Sequence, residues 1–343
     1  MTGPSAPRVR AVVVTWNGAD LLRESLPSLL AQDVADGELD VLVVDNGSSD
    51  GTLAMLAAEF PTVRVVASPE NLGFAGGAEL GLRDLDAEYA VLLNNDARFE
   101  PDAVRKLVEV ADAEPTVGAV TARILLTEPD ALGRTLINST GNVVRPDGAG
   151  GDRDWLAVDG TVDPDPDVFG FCGGAALLRA AALRDVGSFD PWLFLYYEDT
   201  DLSWRLRAHG WAVRYCAASV AHHRHAASSD TTSPLFRYYN TRNSLVVLGR
   251  HAPLTVVARS SARQVAAAVV HSLRRSERPA VTAARRRAVL DAVRRAPTTL
   301  RERRHLWRGA ARARAQVFRT ASARGARSEA PPPPPSVQNQ EIT

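Results

Sequence analysis

The sequence predicts an α/β protein: a mostly parallel central sheet with helices on its faces, extended at the C-terminus by a basic helical region. Three observations carry this. Short β-branched runs alternate with segments of helical apolar spacing. Polar loops rich in Asn, Asp and Gly follow the ends of those runs. Charge also separates along the chain: residues 1–249 hold 20 basic and 35 acidic side chains, net −15, whereas residues 250–330 hold 20 arginines against Glu277, Asp291, Glu302 and Glu329, net +16, within a chain that is neutral as a whole. The asymmetry divides the 343 residues into an α/β domain (1–249), an Arg-rich helical extension (250–330) and a Pro-rich tail (331–343) that is expected to be disordered.

Taken in order, Arg10–Thr15 reads as a buried strand, Trp16-Asn17-Gly18 as a turn, and Leu21, Leu22, Leu26, Leu29 and Leu30 as the apolar face of a helix. Leu39–Val44 is the next strand, 45–51 a loop and Thr52–Phe60 a helix, with further strands at Val63–Ala67 and Ala90–Leu93. Strand-helix alternation implies βαβ units, whose ligands bind beyond the carboxyl ends of the strands. The loops at 15–18, 45–51, 71–77 and 94–98 are therefore expected to gather at one edge. The pattern weakens over 136–168, where short strands and loops should form a wall beside that edge. It returns as a strand entering a helix at Gly173–Arg184, a helix at Asp199–His209, and Arg-rich helix from Asn240 to about Arg327. No apolar run reaches the ~18 residues that span a bilayer. The N-terminus lacks the apolar stretch of a secretory signal, so a cytoplasmic location is expected. Cys172 and Cys216 are too few for a disulfide framework and have no metal-ligand spacing.

Several constellations carry chemistry. Asp45 directly follows a buried Val-Leu-Val-Val strand, a costly place for a carboxylate unless it is paired or meets a ligand. Asp50 reads instead as a helix cap. Asn71-Leu-Gly-Phe-Ala-Gly-Gly77 opens a helix and by itself is a weak signal. Asn94-Asn95-Asp96 follows a strand; it reads either as a polar strand-to-helix turn or as a site for Mg²⁺ or Mn²⁺, hard cations for which one or two carboxylates suffice when phosphate oxygens complete the shell. Glu198, Asp199 and Asp201 crowd a helix N-terminus among aromatic neighbours, an enclosed acidic pocket suited to proton abstraction. In His222-His223-Arg224-His225, strand alternation lets only some of the side chains share a site.

As an ordered set, Val-Val-Thr-Trp-Asn, Val-Val-Asp-Asn-Gly-Ser-Ser-Asp-Gly-Thr, Asn-Leu-Gly-Phe-Ala-Gly-Gly, Asn-Asn-Asp and Tyr-Tyr-Glu-Asp-Thr-Asp-Leu-Ser-Trp-Arg resemble the family-2 glycosyltransferases of the GT-A fold, in the bacterial rhamnosyltransferase-like branch, over about residues 9–245. The resemblance implies metal-dependent, inverting transfer of a sugar from a nucleotide diphosphate to a hydroxyl of a cell-envelope saccharide or glycolipid. It makes Thr15, Asn17 and Asp45 the base and ribose contacts, with Asn71 and Gly76 bordering the nucleotide. Asn94, Asn95 and Asp96 take the family's Asp-x-Asp position, with Asp96 ligating Mg²⁺ or Mn²⁺; the amide at Asn94 removes one charge. Gly173 and Gly174 lie beneath the donor sugar and acceptor, which Asp201, Trp204 and Arg205 also face. Asp199 is the expected base and Glu198 its companion. His222 matches a late histidine that completes the metal shell, with His223 open one position on. The expected donor is dTDP-rhamnose, ahead of a UDP-hexose or UDP-galactofuranose. Two rivals are a non-catalytic nucleotide-sugar-binding protein and a nucleotidyltransferase; the second lacks a basic glycine-rich N-terminal loop. Clustered arginines beside amphipathic helices point the extension at an anionic membrane surface, against the competing reading of a packed appendage, and no nucleic-acid partner is expected.

Overall fold

A computed structural model describes residues 7–35, 39–162, 164–224 and 233–325. The tail at 331–343 and His225 lie outside them. The first half follows the predicted alternation: β1 (Val9–Thr15), α1 (Ala19–Leu30), β2 (Leu39–Asp45), α2 (Thr52–Glu59), β3 (Arg64–Ala67), α3 (Gly73–Leu82) and β4 (Tyr89–Leu93). Next come β5 (Ala97–Phe99), α4 (Ala103–Ala113), β6 (Val117–Leu126), β7 (Ile137–Ser139) and the β8 (Asn142–Val144) and β9 (Gly150–Asp152) hairpin. Then follow β10 (Ala175–Arg179), α5 (Ala180–Val186), α6 (Glu198–His209) and β11 (Ala212–His223), and last α7 (Pro234–His251), α8 (Leu254–Arg274), α9 (Pro279–His305) and α10 (Arg314–Gly325).

The main sheet runs β3-β2-β1-β4-β10-β6-β11-β5. It is parallel from β3 to β4, and mixed beyond, because β10 enters antiparallel to both β4 and β6 while β11 lies parallel to β6. Side-chain alternation feeds two cores, as a sheet covered on both faces requires. Val9, Ala11 and Val13 pack with Leu22, Leu26, Leu56 and Leu107 on one face. On the other, Val12 and Val44 pack with Ala78, Leu82, Leu202 and Leu206. The register Thr15↔Asp45 ends β1 and β2 level with each other.

The charge boundary after residue 249 falls inside α7, which begins at Pro234, capped by Ser233. Helices α7, α8 and α10 share a third core with Phe169, Leu193 and Trp204. Beside that core lies a buried ionic knot. The Asp201 carboxylate, 1% exposed, accepts from Arg205 (3.0 Å), Arg250 (3.0 Å) and His251 (2.9 Å). Arg250 also pairs with Asp190, and with Glu302 at 2.9 Å. Trp204 stacks on His251 and Phe318. This corrects the expectation that Asp201, Trp204 and Arg205 face the sugars: Asp201 and Trp204 turn toward α7 and α10, and the buried Arg205 bonds Asp201 and the carbonyls of Val186 (2.9 Å) and Gly187 (2.8 Å). Removing one partner of a buried ion pair strands the other charge. Asp201→Asn should therefore lose about 3 kcal/mol of stability, read as a lowered midpoint in urea.

Candidate active site

The four polar loops meet at the carboxyl edge of the sheet. Asn17, at φ 50°, accepts from Ser49 N (2.7 Å), and its own N–H reaches Ser48 Oγ (2.8 Å). Asn95 Nδ2 donates to Thr15 Oγ1 (3.0 Å), joining the β1 and β4 ends. Asp45 is fully buried; its Oδ2 accepts from Ser48 N, while Oδ1 has no partner among the described residues. A buried carboxylate oxygen without a donor is costly, and a ligand N–H or O–H would satisfy it. Next to it, Asn46 spends its amide on Gly73 O (2.9 Å), and its Oδ1 also lacks a partner.

The glycine-rich segment mainly packs. Asn71 Oδ1 accepts from Gly73 N (2.8 Å) at the start of α3. Gly73 sits at φ 68°, where a Cβ would stand 2.2 Å from the Phe194 carbonyl oxygen, and a Cβ on Gly77 would meet Val14 at 2.5 Å. Gly76, expected to border the nucleotide, faces Leu72 at 2.7 Å and Pro191 instead, so its smallness serves helix packing.

At the end of β4, the Asp96 carboxylate is 1% exposed and its Oδ1 lies 2.9 Å from His223 Nε2. His223 Nδ1 bonds Asn138 Oδ1, and Asn94 Nδ2 stands 3.4 Å from His223 Nε2. The ring thus bridges Asn138 and the Asp96 carboxylate, with the Asn94 amide beside it. His222 points the other way, to Glu100 at 2.7 Å. Adjacent strand residues alternate faces, so His223 replaces His222 as the histidine beside Asp96. Among the described residues no group of three or more His, Cys, Asp or Glu is arranged to hold a metal alone. A carboxylate, an imidazole and a nearby amide nevertheless suit a hard cation whose remaining ligands are diphosphate and water.

The acidic end lies across Gly173 and Gly174. A Cβ on Gly174 would be 3.5 Å from Asn94 Nδ2, and one on Gly173 3.8 Å from Asp199 Cβ. Asp199 accepts from Gly173 N (3.1 Å), Thr200 N (2.6 Å) and the Asn142 amide. Burial raises its carboxyl above the usual range against those bonds. Burial and then the Asp199 charge raise Glu198 well above it, and Glu198 Oε2 has no partner among the described residues.

Asp152, Asn142, Asn138 and Ser139 were not singled out in the sequence. The β8–β9 register sets Asp152 opposite Asn142, with Ser139 bonded to its carboxyl. Burial pushes Asp152 up to about 6, with the Asp199 charge adding to the rise. The only sequence signal for it was Asp152-Arg-Asp-Trp155 within a loop-like stretch.

A family model described as glycosyl transferase family 2 matches residues 11–187. An N-acetylglucosaminyl-diphospho-decaprenol L-rhamnosyltransferase of Mycobacterium tuberculosis is 30% identical over 299 residues, 78% of this chain and 94% of that one. A pre-mycofactocin glycosyltransferase of the same organism is 27% identical over 65% of this chain and 44% of its own. Among solved structures, the fold is similar to GalNAc-T7 with UDP, GalNAc and Mn²⁺ (TM-score 0.57, 13% identity, 72% of this chain and 48% of that one). It is also similar to a mannosyltransferase of Pyrobaculum calidifontis with GDP-Man and Mn²⁺ (TM-score 0.52, 20% identity, 88% and 85%).

The carboxyl cluster sets a pH dependence. A base with a raised pKa is protonated at pH values where an ordinary carboxylate is already charged, so kcat/KM should climb with pH above the usual limb near ~4. A neighbouring negative charge raises a carboxyl and its removal lowers it, so Asp152→Asn should move that limb to lower pH. An unmoved limb would separate Asp152 from the base.

Proposed function

The chain belongs to glycosyl transferase family 2, and on that premise we propose that it transfers L-rhamnose from dTDP-rhamnose to a hydroxyl of a lipid-linked cell-envelope saccharide, with inversion at the anomeric carbon. The observation that carries this reading is the opposition, across Gly173 and Gly174, of an Asp96–His223 pair and a buried Asp199. The donor and acceptor classes draw on the relative whose name states both, of which this chain covers nearly the full length.

The unpartnered Oδ1 of Asp45, beside Thr15, would accept from the base or ribose. Asp96 and His223 would hold Mg²⁺ or Mn²⁺, which when bound neutralises charge developing on the departing diphosphate. Asp199 would take the acceptor hydroxyl proton as its oxygen attacks the anomeric carbon from the face opposite the leaving group. Glu198, raised well above the usual carboxyl range by burial and then by the Asp199 charge, would in its protonated form donate a hydrogen bond to that acceptor without adding a second negative charge.

Two experiments test this. Asp199→Asn should lose transfer by ~10³-fold or more while nucleotide still shifts the melting temperature; full turnover in that variant, or product with a retained anomeric configuration, defeats the reading. His223→Ala should raise the Mn²⁺ needed for half-maximal activity by at least ~10-fold, with His222→Ala close to wild type. The reverse order would return the role to His222.

A further inference from the structure

Helix α8 is apolar on the side it turns away from the protein. Its inner face is buried through Val256, Ser260 and Ala268. On the outer face Leu254, Ala258, Ala262, Val265, Val269 and Leu273 are all exposed, Leu254 to 63% and Leu273 to 78%. Their spacing of three and four residues makes one stripe about five turns long. A helix that meets only water carries charge on that side. Here the charge lies along the border, at exposed Arg259, Arg263, Arg274 and Arg275. The neighbouring α9 continues the pattern, with exposed Leu290, Val293 and Leu300 among exposed Arg286, Arg287, Arg294 and Arg301.

Acidic groups offset only part of this charge: Arg263 pairs with Asp147, and Arg287 and Arg294 share Asp291. Between residues 252 and 325 the carboxylates are Glu277, Asp291 and Glu302. Glu277 is held by Arg285, Asp291 by Arg294 and Tyr238, and Glu302 by Arg250 and Arg295. The surface is therefore apolar and cationic at once, and no described helix is long and apolar enough to cross a membrane.

The stripe is also tied to the site. Arg263 pairs with Asp147 in the β8–β9 turn, and a Cβ on Gly148 would touch Leu248 and Val256. The same hairpin gives its Gly150 N–H to the Tyr197 hydroxyl (3.3 Å) and sets Asn142 and Asp152 against Asp199. Helix α8 is thereby joined through this hairpin to the surroundings of Asp199.

We propose that the outer face of α8, continued on α9, docks on an anionic lipid bilayer, its apolar stripe at the acyl boundary and its arginines among the headgroups. The purpose of this docking rests on the lipid-linked acceptor proposed above; the binding itself does not. The test is flotation of the full chain with phosphatidylcholine vesicles containing about a third phosphatidylglycerol, at ~0.1 M salt. Wild type should float with these vesicles and at least tenfold less with pure phosphatidylcholine or at ~1 M salt. Val265→Asp with Val269→Asp should cut binding at least tenfold, keep the wild-type melting temperature because both side chains are exposed, and leave transfer to a water-soluble acceptor unchanged. Arg274→Glu with Arg275→Glu should also lose binding. Absence of flotation, equal binding by the variants, or a wild-type dimer in light scattering that Val265→Asp with Val269→Asp dissolves would each overturn the proposal. The last result would make the stripe a self-association surface. Flotation without any transfer would instead fault the assigned reaction and leave the docking face standing.

Discussion

One side chain holds the acidic end of the site in place. Phe194, Tyr196 and Tyr197 all sit in the left-handed region, at φ 65°, 68° and 70°, a conformation that costs a non-glycine residue about 1 kcal/mol or more. The fully buried amide of Asn243, on α7, donates to the carbonyls of Leu193, Leu195 and Tyr196, each at 2.8 Å. Arg242 adds bonds to Trp192 O and Leu193 O while lying over the Trp192 ring. These bonds fix where α6 begins, and so where Glu198 and Asp199 stand. They reach the nucleotide side as well: the Phe194 carbonyl accepts from Ala75 N and leaves room at Gly73 only for a hydrogen. The loop before α3 and the loop before α6 thus both rest on the backbone of residues 192–196, and a shift of α7 would disturb both.

The three carboxylates at the start of α6 share a helix dipole and yet part company. Glu198 and Asp199 are raised, because burial outweighs what hydrogen bonds return. Burial acts on Asp201 too, but Arg205, Arg250 and His251 hold it well below the usual range. Partners therefore divide the cluster more than position does. Asp201 is held structural by its cationic partners, while burial leaves the adjacent pair raised, so that Asp199 once ionised is a stronger base than an ordinary carboxylate. At the other end of the site the charge is sparse: Asp96 meets an imidazole and an amide where a second acid would be the commoner choice. That arrangement fits a cation whose binding leans on the diphosphate it accompanies.

The parallel half of the fold was legible because strands buried on both faces leave long β-branched runs that end at polar loops. Asp45 and Asp199 were legible for a related reason, since an acid beside a buried apolar run needs a cause. What stayed hidden depends on pairing across distance. β10 lies between β4 and β6 near the middle of the sheet, but it enters antiparallel from a loop-rich stretch without a helical crossover, so the sequence shows no βαβ rhythm there. Asp152 reaches Asp199 only through the β8–β9 register. Asp201, Trp204 and Arg205 share the local motif of Glu198 and Asp199, and only the position of α7 shows that they turn inward. The choice between His222 and His223 needed the end of β11, where the pairing His223↔Ala97 settles which ring lies beside Asp96.

The basic extension likewise divides once its contacts are known. Arg250, Arg295 and Arg303 turn inward: the first two meet Glu302, and the third caps the carbonyls of Gly249 and Ala252 at the end of α7. Trp192 lies between Arg242 and Arg295, at 4.0 and 3.7 Å. These arginines bind the extension to the very segment that shapes the loop before α6. Part of the net charge of +16 is therefore internal scaffolding. Of the outward arginines of α8 and α9, Arg263 meets Asp147 while Arg287 and Arg294 share Asp291, and exposed aliphatic residues lie between them. Charge repulsion alone would favour spreading such side chains apart on a well-solvated surface. Their gathering around an apolar stripe is the arrangement that the proposed docking on an anionic bilayer would use.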